Sequence, residues 1–545
     1  TIPYPHERGD ISLRQRLSRF LDIYCHYAVE PESIFIGPER SQLLAMVLSM
    51  VTEPDDRVLL SRSLESVYAP LLMRSQRELI RGNDDLAELL ELDNALTPRV
   101  ILIAPEQLGK ASPITMQALC EQARAHPERW YLIDDSGNFD ISSDLNSNMN
   151  LRMAAQMQMP PNLLFLFGLV KNTVCPDLEL SFLLNAPQDW IAAFDVASEL
   201  TYSRIAYPSQ LYYEWLFDDL LSFPFPASGA NLRQIACGSP TLFTERFVAA
   251  AKDPVFDEKP ISLETPDLIR LDYGEFEAPV PDTLVKGIIK GFLEDPGAGL
   301  DQLVVSRVAS YMKSTRHVPV EPERIVLSQG VFPLFGAMIS TLARRLGRPP
   351  VIGLPDGSYG PIAPTVSYHG GRAVRISTEA ENGFQVEAGA LAKIPERLDL
   401  LWLTQPSNPS GLFYRSEQLL ALFKWLRQSG TYLLADEIFF LLSDYRLGTW
   451  TPRHLSTASF MKEGYQDLIF LTDGISKAFA AGGMRLGFMV CPDSSWQAEI
   501  QAALPLPPKS SLRAWDALYS AFVDEASFSH DVSGERDQVQ KYLCD

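Results

Sequence analysis

Two lysines in this 545-residue chain have matching surroundings. Lys477 lies in LTDGISKAFAAGGMRLGFMV, residues 471–490, and Lys171 lies in LFLFGLVKNTVCPDLELSFLL, residues 164–184. Each sits in a small-residue turn after an apolar run, and eight residues further stands a charge: Arg485 in one case, Glu179 in the other. An amine so placed is a candidate nucleophile or proton carrier. Ser476 and Arg485 add a hydroxyl and a charged fork suited to a phosphate. For one such lysine a solvated turn is the simpler reading, so the weight falls on what accompanies it.

The accompaniment of Lys477 is specific. Asp436 ends the apolar run TYLLAD, where a carboxylate needs a cationic or donor partner. A protonated pyridine nitrogen is such a partner. Asn408 stands in the turn QPSNPSG, where an amide can donate to a ring oxygen. LSQGVFP places Gly330 and Val331 before an apolar helix, whose first N–H groups can bind a phosphate or simply form an ordinary N-cap. Tyr359 can cover a ring face or belong to the core.

The elements that must position these residues occur twice. VEPESIFIGPERSQLL begins at Val29 and VEPERIVLSQGVFPLF at Val320. At the same offset of 291, Tyr68 falls on Tyr359. Pro105 then falls on Pro406 and Asp135 on Asp436 (offset 301), and Lys171 on Lys477 (offset 306). Four ordered matches indicate an internal duplication. In each copy short β-rich runs (99–104, 130–134 and 163–168; 398–404, 431–435 and 468–471) alternate with helical stretches such as SEQLLALFKWLRQSG. That rhythm predicts βαβ units and a mostly parallel sheet covered by helices, with functional side chains just past the carboxyl ends of the strands. The Pro-, Gly- and Ser-rich segment 222–240 marks a boundary between the copies.

Composition excludes several classes. The chain has 46% hydrophobic and 21% charged residues, and its net charge of −21 argues against nucleic acid or an anionic membrane as a general partner. No apolar run reaches the roughly 18 residues of a membrane span. The six cysteines (Cys25, Cys120, Cys175, Cys237, Cys491 and Cys544) show no metal-binding spacing and fit a reducing, cytoplasmic setting; no metal site is expected. The absence of an initiator Met and the ending ERDQVQKYLCD suggest a segment of a longer polypeptide.

SKAFAAGGMRLGF, QPSNPSG and LADEI together resemble the fold-type-I pyridoxal-phosphate enzymes, the class I and II aminotransferases, with a pattern close to histidinol-phosphate aminotransferases. The resemblance implies an α/β fold of two tandem large domains, each a seven-stranded-type, mostly parallel sheet with helices on both faces, the small domain being largely absent. It implies that Lys477 binds pyridoxal 5'-phosphate covalently and shuttles the α-proton, and that Asp436 holds the pyridinium. Asn408 would bind the ring hydroxyl and Tyr359 would stack, while Ser476, Arg485, Gly330 and Val331 would hold the phosphate. Two positions depart from the family: Phe439 replaces the usual tyrosine after the aspartate, and Gly474 replaces a phosphate-binding Ser/Thr. The arginine that clamps a substrate carboxylate normally lies in the small domain and is not assigned.

The first copy carries Gln107 and Glu179 where the second has Asn408 and Arg485. A carboxylate facing a phosphate is repulsive, so the cofactor is expected in the second copy only, with Lys171 paired to a neighbouring acid. YPHERGDISLR, residues 4–14, has the form of the segment through which one subunit of these dimers lends a tyrosine to its partner's phosphate. An intramolecular pseudo-dimer, with Tyr4 lent to the second copy's site, is the resulting expectation. A surface role for Tyr4 is the alternative. The expected division is 1–205 for the degenerate copy, 206–262 for a connecting helix and linker, 263–500 for the second copy and 501–545 for the start of the small domain.

The tandem also resembles the region that follows the methyltransferase domain in methionine S-methyltransferases, through LTYSRIAYPSQLYYEWLFDDLLSFPFP and LDYGEFEAPVP. In that family a separate domain, outside this segment, uses S-adenosylmethionine. Three roles follow: a pyridoxal-phosphate enzyme acting on methionine or S-methylmethionine, a regulatory module sensing such a ligand, or an assembly scaffold.

Overall fold

A computed structural model of the chain describes residues 4–53, 55–74, 77–104, 113–135, 149–168, 178, 180–202, 204–222, 282–293, 299–442, 455–479, 481–504, 506–507 and 509–523. By packing these fall into two compact units. The larger comprises Thr1–Tyr4, Leu200–Ser203 and Thr244–Asp545, and the smaller comprises Pro5–Glu199 and Arg204–Phe243.

The smaller unit is built on β1 (Phe35–Gly37), β2 (Arg57–Leu60), β3 (Glu78–Arg81), β4 (Val100–Ile103), β5 (Trp130–Asp134), β6 (Leu163–Gly168) and β7 (Ser181–Leu184). They form one sheet in the order β1-β7-β6-β5-β4-β2-β3. All neighbours are parallel except around β7, which runs against both β1 and β6. The helix Tyr207–Leu221, which falls within the expected connector, belongs to this unit: Tyr24 donates its hydroxyl to the Leu220 carbonyl at 2.9 Å.

The larger unit repeats the plan. Its strands are β8 (Ile325–Ser328), β9 (Val351–Pro355), β10 (Arg372–Ile376), β11 (Leu400–Thr404), β12 (Tyr432–Asp436), β13 (Ile469–Gly474) and β14 (Gly487–Val490). The order is β10-β9-β11-β12-β13-β14-β8, with β14 antiparallel to both neighbours. Counted along the chain, both sheets therefore read 3-2-4-5-6-7-1 with strand 7 reversed. The fold class is the expected one: α/β, with two seven-stranded, mostly parallel sheets.

Continuous apolar runs make the central strands, because helices cover both faces and leave no solvated side to alternate toward. LLWLT and YLLAD are buried along nearly their whole length. Trp402 packs on Phe335 of the helix Phe332–Leu346 at a ring separation of 4.4 Å, and Phe470 packs on Trp496 at 5.0 Å. That helix starts with Pro333 in its first turn and stops at Gly347, whose φ of 65° takes the left-handed cap. Since β8, β9, β11, β12 and β13 all run the same way, their carboxyl ends lie along one edge of the sheet. The start of the reversed β14 lies on the same edge.

Candidate functional site

That edge of the larger unit collects nearly all of the residues singled out from sequence. Asp436 is the last residue of β12 and pairs with Thr472 of β13. Lys477 and Ser476 follow three and two residues after the end of β13, in a part-buried turn. Asn408 follows β11 and Tyr359 follows β9. Gly330 and Val331 bridge β8 and the helix Phe332–Leu346, and Arg485 precedes β14.

Asp436 is buried, and among the described residues its carboxylate accepts from neutral donors, Thr472 Oγ1 at 3.2 Å and Ile438 N at 3.3 Å. Burial raises its pKa to about 7, against the lowering effect of those two bonds. A cationic N–H aimed at this oxygen would restore the charge. Beside it, Gln405 is buried and donates its amide nitrogen to the Leu455 carbonyl at 2.6 Å, while its Oε1 has no partner among the described residues. The strand end thus offers a carboxylate and an amide oxygen to a donor not supplied by the described chain.

The phosphate side has a different character. Gly330 has φ of 100°, and a Cβ there would lie 2.6 Å from Arg485 Nη2, so only glycine leaves this cradle open. The first-turn amides after it have no helix carbonyl to bond. The Arg485 guanidinium is buried and donates to the carbonyls of Gly482, at 3.3 Å, and Tyr202, at 3.4 Å. The Tyr4 ring belongs to the same unit. Its centroid is 5.0 Å from Lys477 Nζ and 5.4 Å from Arg485 Cζ. A Cβ on Gly482 would collide with that ring. An aspartate, an amine, an arginine, open amides and an aromatic hydroxyl on one edge fit a planar cationic ring that carries a phosphate.

The two departures from the family pattern have distinct structural settings. The Phe439 ring centroid lies 5.9 Å from Lys477 Nζ, so an apolar ring stands beside the amine. A Cβ at Gly474 would collide with the Leu486 carbonyl of the incoming strand, so backbone packing excludes a serine or threonine there. Tyr359 is 41% exposed at the mouth of the edge rather than in the core.

Sequence reading missed several contributors. Tyr202 and Leu200 pack in this unit, the latter accepting from half-buried His369 at 3.1 Å. Arg316, at the end of the helix Leu300–Arg316, reaches beneath both β12 and β13. No motif marked it. Tyr202 lay in a quoted segment, but its contribution is a backbone carbonyl, which side-chain chemistry cannot flag.

In the smaller unit, Lys171, Gln107 and Glu179 lie outside the described residues. The matching edge is nevertheless informative. Strand pairing corrects one sequence match: Asp134, not Asp135, is the counterpart of Asp436. Asp134 pairs with Leu166 as Asp436 pairs with Thr472, and Asp135 N donates to Leu166 O as Glu437 N donates to Thr472 O. The run WYLIDDS carries two adjacent aspartates, and matching tyrosine to tyrosine chose the wrong one. Asp134 already accepts from Tyr68 Oη at 2.6 Å and faces Arg40 Nη1 at 3.3 Å. By the β1 and β8 registers, Glu39 and Arg40 stand where the larger unit has Gly330 and Val331. The carboxylate is satisfied by the chain itself, and the open glycine turn is gone.

No helix among the described residues is long and apolar enough to cross a membrane, and no metal-binding cluster occurs among them.

Comparison with known proteins places these features. The model of the aminotransferase class I and II family matches residues 290–541. The methionine S-methyltransferase of Zea mays is 24% identical over 511 residues, covering 89% of this chain and 46% of that protein. The one from Wollastonia biflora is 22% identical over 513 residues, covering 90% and 46%. An aspartate aminotransferase of Pyrococcus abyssi is 26% identical over 242 residues, covering 42% and 58%. Among solved structures, an aromatic aminotransferase from Pyrococcus horikoshii covers 50% of this chain and 72% of its own at 23% identity, with a TM-score of 0.42. The chain spans about half the length of the methionine S-methyltransferases it matches. Along about nine-tenths of its length the chain is similar to the methionine S-methyltransferases, and residues 290–541 match the aminotransferase class I and II family.

Proposed function

We propose that the larger unit binds one pyridoxal 5'-phosphate per chain and works on a methionine-like amino acid, as part of a methionine S-methyltransferase-type transferase. The observation that carries the reading is the pairing of buried, cation-seeking Asp436 with Lys477 at the carboxyl ends of adjacent strands. Asp436 would face the ring nitrogen and Asn408 the ring hydroxyl. Arg485, Ser476 and the amides after Gly330 would hold the phosphate, joined by the Tyr4 hydroxyl. Tyr359 would lie against the ring from the open side. When bound, the cofactor supplies an electron sink for charge at an amino acid α-carbon. Lys477 supplies the amine that anchors it and carries a proton to and from that carbon. Phe439 beside the amine keeps water from it.

The smaller unit is read as a duplicated copy that has lost its cofactor site, its Asp134 being closed by Tyr68 and Arg40. The shared strand order supports the duplication. The Tyr4 ring, grouped with the larger unit and 5.0 Å from the Lys477 amine, supports its assignment to that unit's site. S-adenosylmethionine belongs, on this reading, to a part of the longer protein outside this chain. The substrate class rests on the names of the relatives.

A second reading is favoured by Phe439, which brings no hydroxyl where the family has a tyrosine: a pyridoxal-phosphate-bearing module that senses methionine-like ligands and regulates methyl transfer. Mixing the loaded protein with methionine and with S-methylmethionine separates the two. Loss of the visible band with either one supports catalysis. An unchanged band with both supports sensing.

A further inference from the structure

Beneath the edge that carries Asp436 and Lys477 lies a fully buried ion triad. Arg316 Nε donates to Glu437 Oε2 at 2.8 Å, and Arg316 Nη2 donates to Asp473 Oδ2 at 2.7 Å. The side chains of Arg316 and Glu437 are 0% exposed. Each carboxylate is further held. Glu437 accepts from Ser456 Oγ at 2.7 Å, from Thr457 N at 2.8 Å and from Thr457 Oγ1 at 2.7 Å. Asp473 accepts from its neighbour Gly474 N at 2.6 Å and from Tyr311 Oη at 3.2 Å. The Arg316 guanidinium also lies 4.5 Å from the Phe440 ring centroid.

The position of the two acids gives the triad its meaning. Glu437 is the residue after Asp436, and its N–H donates to Thr472 O at 2.9 Å. Asp473 is the penultimate residue of β13, paired with Phe488, just before the turn that presents Lys477. One planar fork therefore grips two neighbouring strand ends, one bearing the aspartate and the other leading to the amine. Buried ion triads add little net stability over apolar packing of the same shape, because desolvation offsets their attraction. What a rigid guanidinium does add is geometry: a fixed separation and orientation of both partners. We propose that Arg316 is a positioning residue that sets the spacing of Asp436 and Lys477 through Glu437 and Asp473. This rests on the pyridoxal-phosphate reading of those two residues.

The test uses the whole chain and two readouts. Single loss of Arg316 strands two buried acids and invites unfolding, so the informative variant is the neutral triple change Arg316→Met, Glu437→Gln and Asp473→Asn, alongside Arg316→Lys. With pyridoxal 5'-phosphate as the probe, the triple variant is expected to melt within a few degrees of the unaltered protein and to bind at least tenfold more weakly. Arg316→Lys, which keeps the charge and loses the fork, should fall between. In the cofactor-free protein, amide exchange at Glu437, Ile438 and Gly474 should quicken at least tenfold in the triple variant, with β11 amides unchanged. Unaltered affinity in the folded triple variant, or exchange that quickens equally on β11, would overturn the proposal. If the unaltered chain took up no pyridoxal phosphate, the proposed function would fall. The exchange comparison would then decide alone whether Arg316 holds the two strand ends.

Discussion

The Tyr4 ring lies 5.0 Å from the Lys477 amine, although the two residues stand near opposite ends of the chain. The same ring is 5.4 Å from Arg485 and fills the space that a side chain on Gly482 would occupy. Removing only its hydroxyl is therefore a clean probe. Tyr4→Phe keeps the ring contacts and would delete the charge-assisted hydrogen bond proposed to the phosphate, of about 2 kcal/mol. Pyridoxal-phosphate affinity should weaken roughly 30-fold at unchanged melting temperature, measured by fluorescence titration. Equal affinity would return Tyr4 to a packing role.

Asp436 makes stability depend on pH in a definite direction. Below about pH 4 its carboxyl is protonated in the folded and unfolded chain alike. Between there and its folded pKa of about 7 the unfolded chain releases the proton and the buried group keeps it, so its contribution to stability falls as pH rises through that window. Asp436→Asn has no proton to release. Cofactor-free Asp436→Asn should gain on the unaltered protein between pH 4 and 7, by on the order of 4 kcal/mol, in denaturant unfolding. A difference that does not change with pH would contradict the assigned burial of the charge.

Gly474→Ser tests whether the family's missing hydroxyl can simply be restored. The new Cβ meets the Leu486 carbonyl, so the strand pair must shift. A loss of about 1–3 kcal/mol and no gain in cofactor affinity are expected. Tighter binding would show that the strands accommodate the side chain.

In the smaller unit, Tyr68→Phe removes a buried donor to Asp134 and should cost about 1–3 kcal/mol in unfolding experiments. Pyridoxal-phosphate stoichiometry should stay at one per chain in this variant and in Arg40→Met. A second equivalent taken up by either would show that Tyr68 and Arg40 had been blocking a latent site.

Much of this was legible from sequence because parallel α/β sheets put chemistry at predictable places. Apolar runs ending in Asp436, or leading into Asn408 and Lys477, gave strand ends, and strands running one way must share a functional edge. The order of the sheet confirmed what the rhythm of runs implied. Register was less legible. WYLIDDS presents two acids in a row, and only hydrogen bonding across β5 and β6 distinguishes Asp134 from Asp135. Glu179, read as the reason for a silent first copy, lies outside the described residues; within them Tyr68 and Arg40 meet Asp134, and Glu39 and Arg40 stand where the larger unit has Gly330 and Val331. Gly474 looked like a deficit until the approach of Leu486 explained it. Arg316 was invisible, since nothing local marks an arginine whose two partners lie 121 and 157 residues away.

The central claim is that the larger unit holds pyridoxal phosphate on Lys477. The direct measurement is the visible absorption spectrum of the chain after incubation with pyridoxal 5'-phosphate and removal of the excess. A retained band equivalent to one cofactor per chain, absent in a folded Lys477→Ala variant, is the predicted result. No retained band in the unaltered protein, or an equal band in Lys477→Ala, would contradict it.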